Sequence, residues 1–303
     1  MRSKIFILVA MLAFLIYGSS IVYVQAQYPG YDKPYNPLIG GIQIQISTYG
    51  GMMGGYCSLA FPVKFKEGSQ NKDSFITAGH CINIEEGRNY VHQPNISGVF
   101  WWNNLIGIGI RNAYPHGGGN TDLDGALIRI YEICERFGCY TSRSIAGFIF
   151  ENGDYLPFFL LDSNKKVGIT GYITPTKEME RNTTIVYKSG KTTGVTYGKI
   201  IRIDYRWEGP TTVEPTILIT RCPDLCYYYG DIARGGDSGG VVYIRHLILW
   251  IGFGMHHYGA IVLGIANGAS STLLVASWAV KVRDKWPELN ISYVTCGSLS
   301  SCL

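Results

Sequence analysis

Glycine spacing constrains this chain more than any other feature. Thirty-eight glycines among 303 residues punctuate short runs rich in Val, Ile, Thr and Tyr. Glycine weakens helix interiors and serves tight turns, whereas β-branched and aromatic residues suit a pleated surface. From Ile42 the pattern alternates, with Ile42, Ile44 and Ile46 interleaved with Gln43, Gln45 and Ser47, the period of a strand with one apolar face. Further strands are expected around residues 56–65, 75–78, 107–111, 126–130, 166–174, 184–187, 198–204, 216–220 and 241–249. Turn signals such as Glu67-Gly68-Ser69 and Lys188-Ser189-Gly190 separate them. Only residues 273–286 read as a helix, closed by Pro287. Many short strands without intervening amphipathic helices mean a barrel or sandwich, and the length allows one large all-β domain or two small ones. With 16% charged and 13% aromatic residues, a disordered chain and a helical array are both excluded. The net charge of +4 is spread without blocks of like sign, so no nucleic-acid or anionic-membrane partner is expected.

The first 26 residues read as an export signal. Arg2 and Lys4 precede an apolar run from Ile5 to Tyr17, and Val24-Gln25-Ala26 offers a small-residue cleavage site. The lack of charge from Ile5 to Gln27 makes a retained anchor the alternative, but Gly18-Ser19-Ser20 breaks the apolar run and favours cleavage. A secreted protein accords with eight cysteines, all beyond the signal: Cys57, Cys81, Cys134, Cys139, Cys222, Cys226, Cys296 and Cys302. Cys134/Cys139 and Cys222/Cys226 have the spacing of metal clips, yet no His or second Cys pair at zinc-site spacing accompanies them. Local disulfides Cys134–Cys139, Cys222–Cys226 and Cys296–Cys302 are therefore expected, with no metal and no cofactor. Sequons at Asn95, Asn182 and Asn290 agree with a glycoprotein. Residues 27–38, with three prolines and no periodicity, read as an extended linker or short pro-segment. Residues 247–280 carry no Lys, Arg, Asp or Glu, long enough for a transmembrane helix, but their five glycines, His256-His257 and Asn267 suit strands better. No stable membrane span is expected.

Three short motifs carry the chemistry: Thr77-Ala78-Gly79-His80-Cys81, Asp124-Gly125-Ala126-Leu127 and Gly236-Asp237-Ser238-Gly239-Gly240. Serine is a poor nucleophile at neutral pH. It needs an imidazole to take its proton, a buried carboxylate to fix that imidazole's tautomer, and backbone N–H groups aimed at the developing oxyanion. Glycines around Ser238 permit the turn that presents amides and hydroxyl at one spot.

In the order His, Asp, Ser, these motifs resemble those of the chymotrypsin-like serine peptidases. Leu38-Ile39-Gly40-Gly41, Tyr56-Cys57-Ser58-Leu59-Ala60-Phe61 and Ser189-Gly190-Lys191-Thr192-Thr193-Gly194-Val195-Thr196 are similar to segments of the bacterial branch that contains α-lytic protease and the streptogrisins. The resemblance implies an all-β fold of two antiparallel six-stranded barrels with a C-terminal helix. The peptidase domain would span 39–303, the first barrel about 39–150 and the second about 151–303, with the site in the cleft between. It implies His80 as general base, Asp124 as the residue that orients it and Ser238 as nucleophile. Gly236 and Ser238 would supply oxyanion N–H groups, and Cys57–Cys81 a disulfide beside the histidine. Asp237 would pair with a buried cation, and protein or peptide substrates follow. Asp122 competes with Asp124 but lacks the following x-Ala-Leu. In this family the residue six before the nucleophile lies at the floor of the specificity pocket. That is Ile232, with Asp231 the rival if the loop shifts by one, so cleavage is expected after apolar or aromatic residues.

Several features depart from the family. Few residues lie between the signal and Ile39 for a pro-region, Ala233-Arg234-Gly235 stands where a Cys is usual, and Val241 replaces a Pro. Either 252–256 or 264–268 would pair with the substrate backbone. His256 and His257 suit a pocket wall or a barrel end, and His92, His116 and His246 are expected at the surface. A protease-like binding module without activity is the alternative function; such relatives usually lose a triad residue, and all three are present. An α/β-hydrolase esterase fails because its serine precedes Asp and His.

Overall fold

The structure is a computed structural model, and it describes residues 30–96, 104–135, 138–141, 143–151, 166–222, 230–251 and 255–302. The signal expected at residues 1–26 lies outside them. The first strands in chain order are β1 (Leu38–Gly40), β2 (Gln43–Thr48), β3 (Met53–Ser58), β4 (Pro62–Glu67), β5 (Gln70–Thr77), β6 (Arg88–His92) and β7 (Leu105–Asn112). There follow β8 (Asn120–Thr121), β9 (Ala126–Ile130), β10 (Glu132–Glu135), β11 (Gly138–Thr141), β12 (Ile145–Phe150) and β13 (Lys166–Tyr172). The last are β14 (Ile185–Gly190), β15 (Gly194–Trp207), β16 (Thr212–Arg221), β17 (Val241–Ile251), β18 (Met255–Ala269), β19 (Leu273–Trp278) and β20 (Ser292–Tyr293).

Two rings of six emerge from the pairings. In the first, β2 pairs with β3, β4 with β5, β5 with β9, β9 with β7, β7 with β6 and β6 with β2, all antiparallel. β3 and β4 act as one bent strand that closes this ring. At the bend Leu59 N donates to Ile42 O (3.0 Å), and Ala60 N donates to Ile76 O (2.7 Å). The second ring runs β14-β15-β16-β19-β18-β17 and back to β14, again antiparallel throughout. Outside it, β13 lies parallel to β18, β12 pairs with β13, and β1 lies parallel to β12. Late in the chain β20 returns to the first ring and pairs with β4.

Each ring is filled by its own apolar residues: Ile42, Ile44, Phe75 and Ile128 in the first, and Val186, Ile200, Ile217 and Leu263 in the second. A third cluster, with Phe61, Val63 and Leu127 from one ring and Val241, Tyr243 and Ile265 from the other, joins them. The shared apolar seam fixes the relative position of loops from the two barrels, and the candidate site is built from those loops.

Some expectations change. Residues 273–286 are not one helix: Leu273–Trp278 is β19, and the helix is confined to Lys281–Lys285. Barrel closure prevails, because β19 must pair with both β16 and β18. The uncharged 247–280 segment supplies β18, β19 and part of β17, and among the described residues no helix is long and apolar enough to cross a membrane. β2 keeps its alternation, but its polar side is covered as well. Gln43 Nε2 donates to Pro94 O, Gln45 Oε1 accepts from Ile96 N, and Ser47 Oγ meets His92 Nε2. His92 is thus fully buried rather than at the surface, whereas His116 is exposed and His246 half-buried against Thr170. Residues 30–38 pack onto the barrels: Tyr31 is buried edge-on to Phe150, and Leu38 N donates to Ser144 O.

Disulfides Cys57–Cys81 and Cys296–Cys302 are formed. Cys134 and Cys139 lie opposite each other in the β10–β11 register. Cys222 is buried and has no disulfide among the described residues; Cys226, its expected partner, lies outside them.

Candidate active site

Strand β5, buried only over its last four residues, ends at Thr77 and turns through a single 3-10 turn, Gly79–Cys81, which presents His80. Asp124 arrives from the other side, just before β9. Its carboxylate takes two hydrogen bonds from the same histidine: His80 N donates to Oδ1 (2.9 Å), and His80 Nδ1 lies 2.8 Å from Oδ2. With Nδ1–H directed at the carboxylate, Nε2 is left with its lone pair on the open side, the tautomer a general base requires. Asp124 is fully buried and His80 is 30% exposed, so the proton acceptor is accessible and its partner is not.

β18 and β19 hold Asp124 from behind. Its N–H donates to Ser277 Oγ (3.0 Å), and its C=O accepts from Asn267 Nδ2 (3.0 Å). Asn267 in turn bonds Ser277 through Nδ2 (3.1 Å) and accepts from Ser277 N at Oδ1 (2.9 Å). Burial disfavours the imidazolium, but the charge and hydrogen bond of Asp124 outweigh it and raise the His80 pKa above the usual 6.5. Burial likewise works against the Asp124 carboxylate, and the His80 and Asn267 interactions more than offset it, so its pKa falls below 3.8.

Ser238 lies on the loop that precedes β17. Two glycines with positive φ shape this loop, Gly236 (+95°) and Gly239 (+83°), and at Gly239 even a methyl group would sit 2.3 Å from Ser58 O. The loop is fastened to the first barrel by Ser58, whose N–H donates to Ser238 O (2.7 Å) and whose Oγ donates to Gly236 O (2.9 Å). Gly239 N donates to Ala266 O (2.8 Å) on β18. Among the described residues the N–H groups of Gly236 and Ser238 have no hydrogen-bond acceptor. Two unengaged amides beside a serine can receive an oxyanion. Ser238 Oγ itself is turned to Asn267 O at 3.3 Å.

Asp237 points away from the cleft into a closed polar nest. Oδ1 accepts from Thr192 N (2.7 Å) and Thr193 N (3.1 Å), and Oδ2 accepts from Thr193 Oγ1 (2.7 Å) and Arg234 N (2.9 Å). Lys188 Nζ, 3.2 Å from Oδ2, supplies the cation; both side chains are 1% exposed. Burial holds the Lys188 pKa below its usual value despite the Asp237 charge. Sequence reasoning expected a cation here without identifying it, because Lys188 is distant in the chain and sits within a turn signal. Asn267, Ser277 and Ser58 were also missed as supports, their roles being set by register between distant strands.

Of the remaining candidates, Asp122 faces outward and pairs with Lys285 (2.8 Å) and Lys281 (3.4 Å) of the short C-terminal helix, where it docks that helix. Ile232 is 1% exposed within the second barrel's apolar cluster. Asp231 is bonded to Arg234 Nε. Segment 264–268 lies beside Ser238, whereas Met255 and His256 pair with Ile251 and Trp250 at the far end of β18. Beyond Ala266, whose N–H donates to Gly240 O (2.8 Å), the β18 edge facing Ser238 has no strand partner among the described residues.

No protein-family model matches the chain, and no curated protein matches it in sequence. Solved structures do match. Nocardiopsis protease aligns over 86% of this chain and 100% of its own, at 19% identity and a TM-score of 0.52. Thermobifida fusca protease A aligns over 86% and 99%, at 19% identity and 0.53, and Cellulomonas bogoriensis chymotrypsin over 86% and 99%, at 20% identity and 0.51. At such identities the likeness establishes the fold. The chain has the two-barrel fold of the bacterial chymotrypsin-like serine proteases.

Proposed function

We propose that this chain is a secreted serine endopeptidase. The observation that carries the reading is His80 bonded to a buried Asp124, with Asn267 bonding both the Asp124 carbonyl and, through its own carbonyl, Ser238 Oγ. Ser238 Oγ turns from Asn267 O to His80 Nε2, gives up its proton there, and forms a bond to the scissile carbonyl carbon. The carbonyl oxygen becomes an oxyanion held by the N–H groups of Gly236 and Ser238. His80 then passes the proton to the leaving amine as the C–N bond breaks. Water, deprotonated by the same imidazole, hydrolyses the acyl-enzyme and restores Ser238. Losing one oxyanion donor would cost about 3–4 kcal/mol of transition-state stabilisation.

The unpartnered edge of β18 at residues 267–269 is suited to pair with the acyl side of an extended substrate. A cleavage preference for apolar residues agrees with the apolar surroundings of Ile232 and with Asp231 being engaged by Arg234; an unpaired substrate cation there would lose several kcal/mol of solvation. The expected signal, the sequons and the disulfides Cys57–Cys81 and Cys296–Cys302 support export. Ser238→Ala tests the reading. The variant should fold, with an unchanged thermal transition, and lose turnover of a casein-type substrate; retained turnover would sink it.

A further inference from the structure

Lys191 is held in an unusual place. Its backbone N–H donates to Ser58 Oγ (2.9 Å), which fixes it next to the loop that carries Ser238. Its ammonium lies over the Tyr56 ring, 4.1 Å from the centroid, and a methyl group on Gly236 would sit 3.7 Å from Nζ. Among the described residues Nζ has no salt bridge or hydrogen bond. Asp237, the nearest buried carboxylate, is committed to Lys188 and four other donors. Tyr56 is 40% exposed, so the pair faces solvent across an aromatic surface. Burial lowers the Lys191 pKa from its usual value, against the pull of Asp237 and Asp32.

The position of this pair relative to Ser238 sets its use. Ser238 lies between two walls: Ala266 and Asn267 on β18, through Gly239 N and Ser238 Oγ, and Ser58 at the end of β3, through Ser238 O. If the acyl part of a substrate runs along β18, the part released as amine leaves over the opposite wall, past Cys57 and Tyr56. We propose that Lys191 and Tyr56 form a subsite on the leaving-group side that accepts a carboxylate carried within the first two residues after the scissile bond. The proposal rests on the peptidase reading for which side is which. A cation over an aromatic face gains from a desolvated anionic partner that the ring alone cannot supply.

The test separates binding from turnover. Fluorescence anisotropy with the Ser238→Ala protein would use peptides identical on the acyl side, amidated at the C-terminus, and carrying Glu, Gln or Lys at each of the two leaving positions. A second set, with Gln at both positions, would end there in either a free carboxylate or an amide. The expected result is about three- to tenfold tighter binding of Glu than Lys peptides at one position, the range of a partly desolvated ion pair. Lys191→Met on the same background should bring that ratio close to one, Lys191→Glu should reverse it, and Lys191→Arg should keep it. Discrimination only between free and amidated ends would assign the carboxylate to a chain terminus. A Glu-to-Lys ratio near one in the first set together with equal binding of free and amidated ends in the second, a ratio that survives Lys191→Met, or no peptide binding at all would overturn the subsite. Failure of the peptidase reading shows elsewhere, as absence of turnover by the unmutated protein, and leaves this binding measurement decisive.

Discussion

Asp122 and Asp124 stand two residues apart, and their surroundings divide them. Asp124 is fully buried and bonded to the backbone and ring of His80, whereas Asp122 is held by two lysines at the surface. Asp124→Asn should preserve the shape of the site but favour the wrong imidazole tautomer, lowering turnover by about four decades. Asp122→Asn should leave turnover within a few-fold, and steady-state kinetics of both variants checks the pair. The pH dependence follows from the same residues. His80 must be neutral to act as base and its pKa is raised above 6.5, so kcat/KM should climb with pH through an inflection above 6.5. The imidazolium–carboxylate contribution to stability runs the other way: it is complete below 6.5 and is lost as pH rises through the folded value. The contribution of Asp124, whose pKa is lowered, is present above 3.8 and is lost as pH falls through its folded value. An acid limb of the rate profile centred below 6.5 would contradict the raised His80 pKa.

At the scale of elements, the loop before β17 is specified twice, by glycines and by a buried ion pair. Gly239→Ala would force a positive φ on a residue with a side chain and press a methyl group onto Ser58 O. A loss of about 1–3 kcal/mol or more is expected, read as a lowered midpoint of urea unfolding. Lys188→Met would leave Asp237 buried without its cation, and breaking such a pair typically costs about 3–5 kcal/mol. Adding Asp237→Asn should recover part of the lost melting temperature, which a double-mutant cycle would measure. The motifs at His80, Asp124 and Ser238 were legible because each is local: a few residues fix a turn. Lys188, Asn267 and Ser277 were not, because their partners are chosen by register across β14–β15 and β18–β19. The false helix at 273–286 arose in the same way, since Leu273-Leu274-Val275-Ala276 suits either period and only closure of the second ring makes it a strand.

For the whole molecule, composition and turn spacing led to a barrel or sandwich and the family resemblance to two six-stranded barrels, while the loops that join them stayed illegible. The Cys57–Cys81 disulfide, with a separation of 24 residues, ties the end of β3 to the His80 turn. In the chain-entropy model it contributes about 3 kcal/mol, so Cys57→Ser with Cys81→Ser should lower the melting temperature by several degrees. The proposed activity would depend on both barrels at once, because His80 and Asp124 come from the first and Ser238 from the second, with Ser58 bonding across the seam. The most direct measurement of whether these three residues form a working nucleophile is covalent labelling. The protein would be incubated with an organophosphonate serine probe and the modified residue located by peptide mass spectrometry. A single adduct on Ser238, absent after Ser238→Ala and strongly slowed by Asp124→Asn, is the predicted result; no adduct, or an adduct elsewhere with Ser238 untouched, would contradict it.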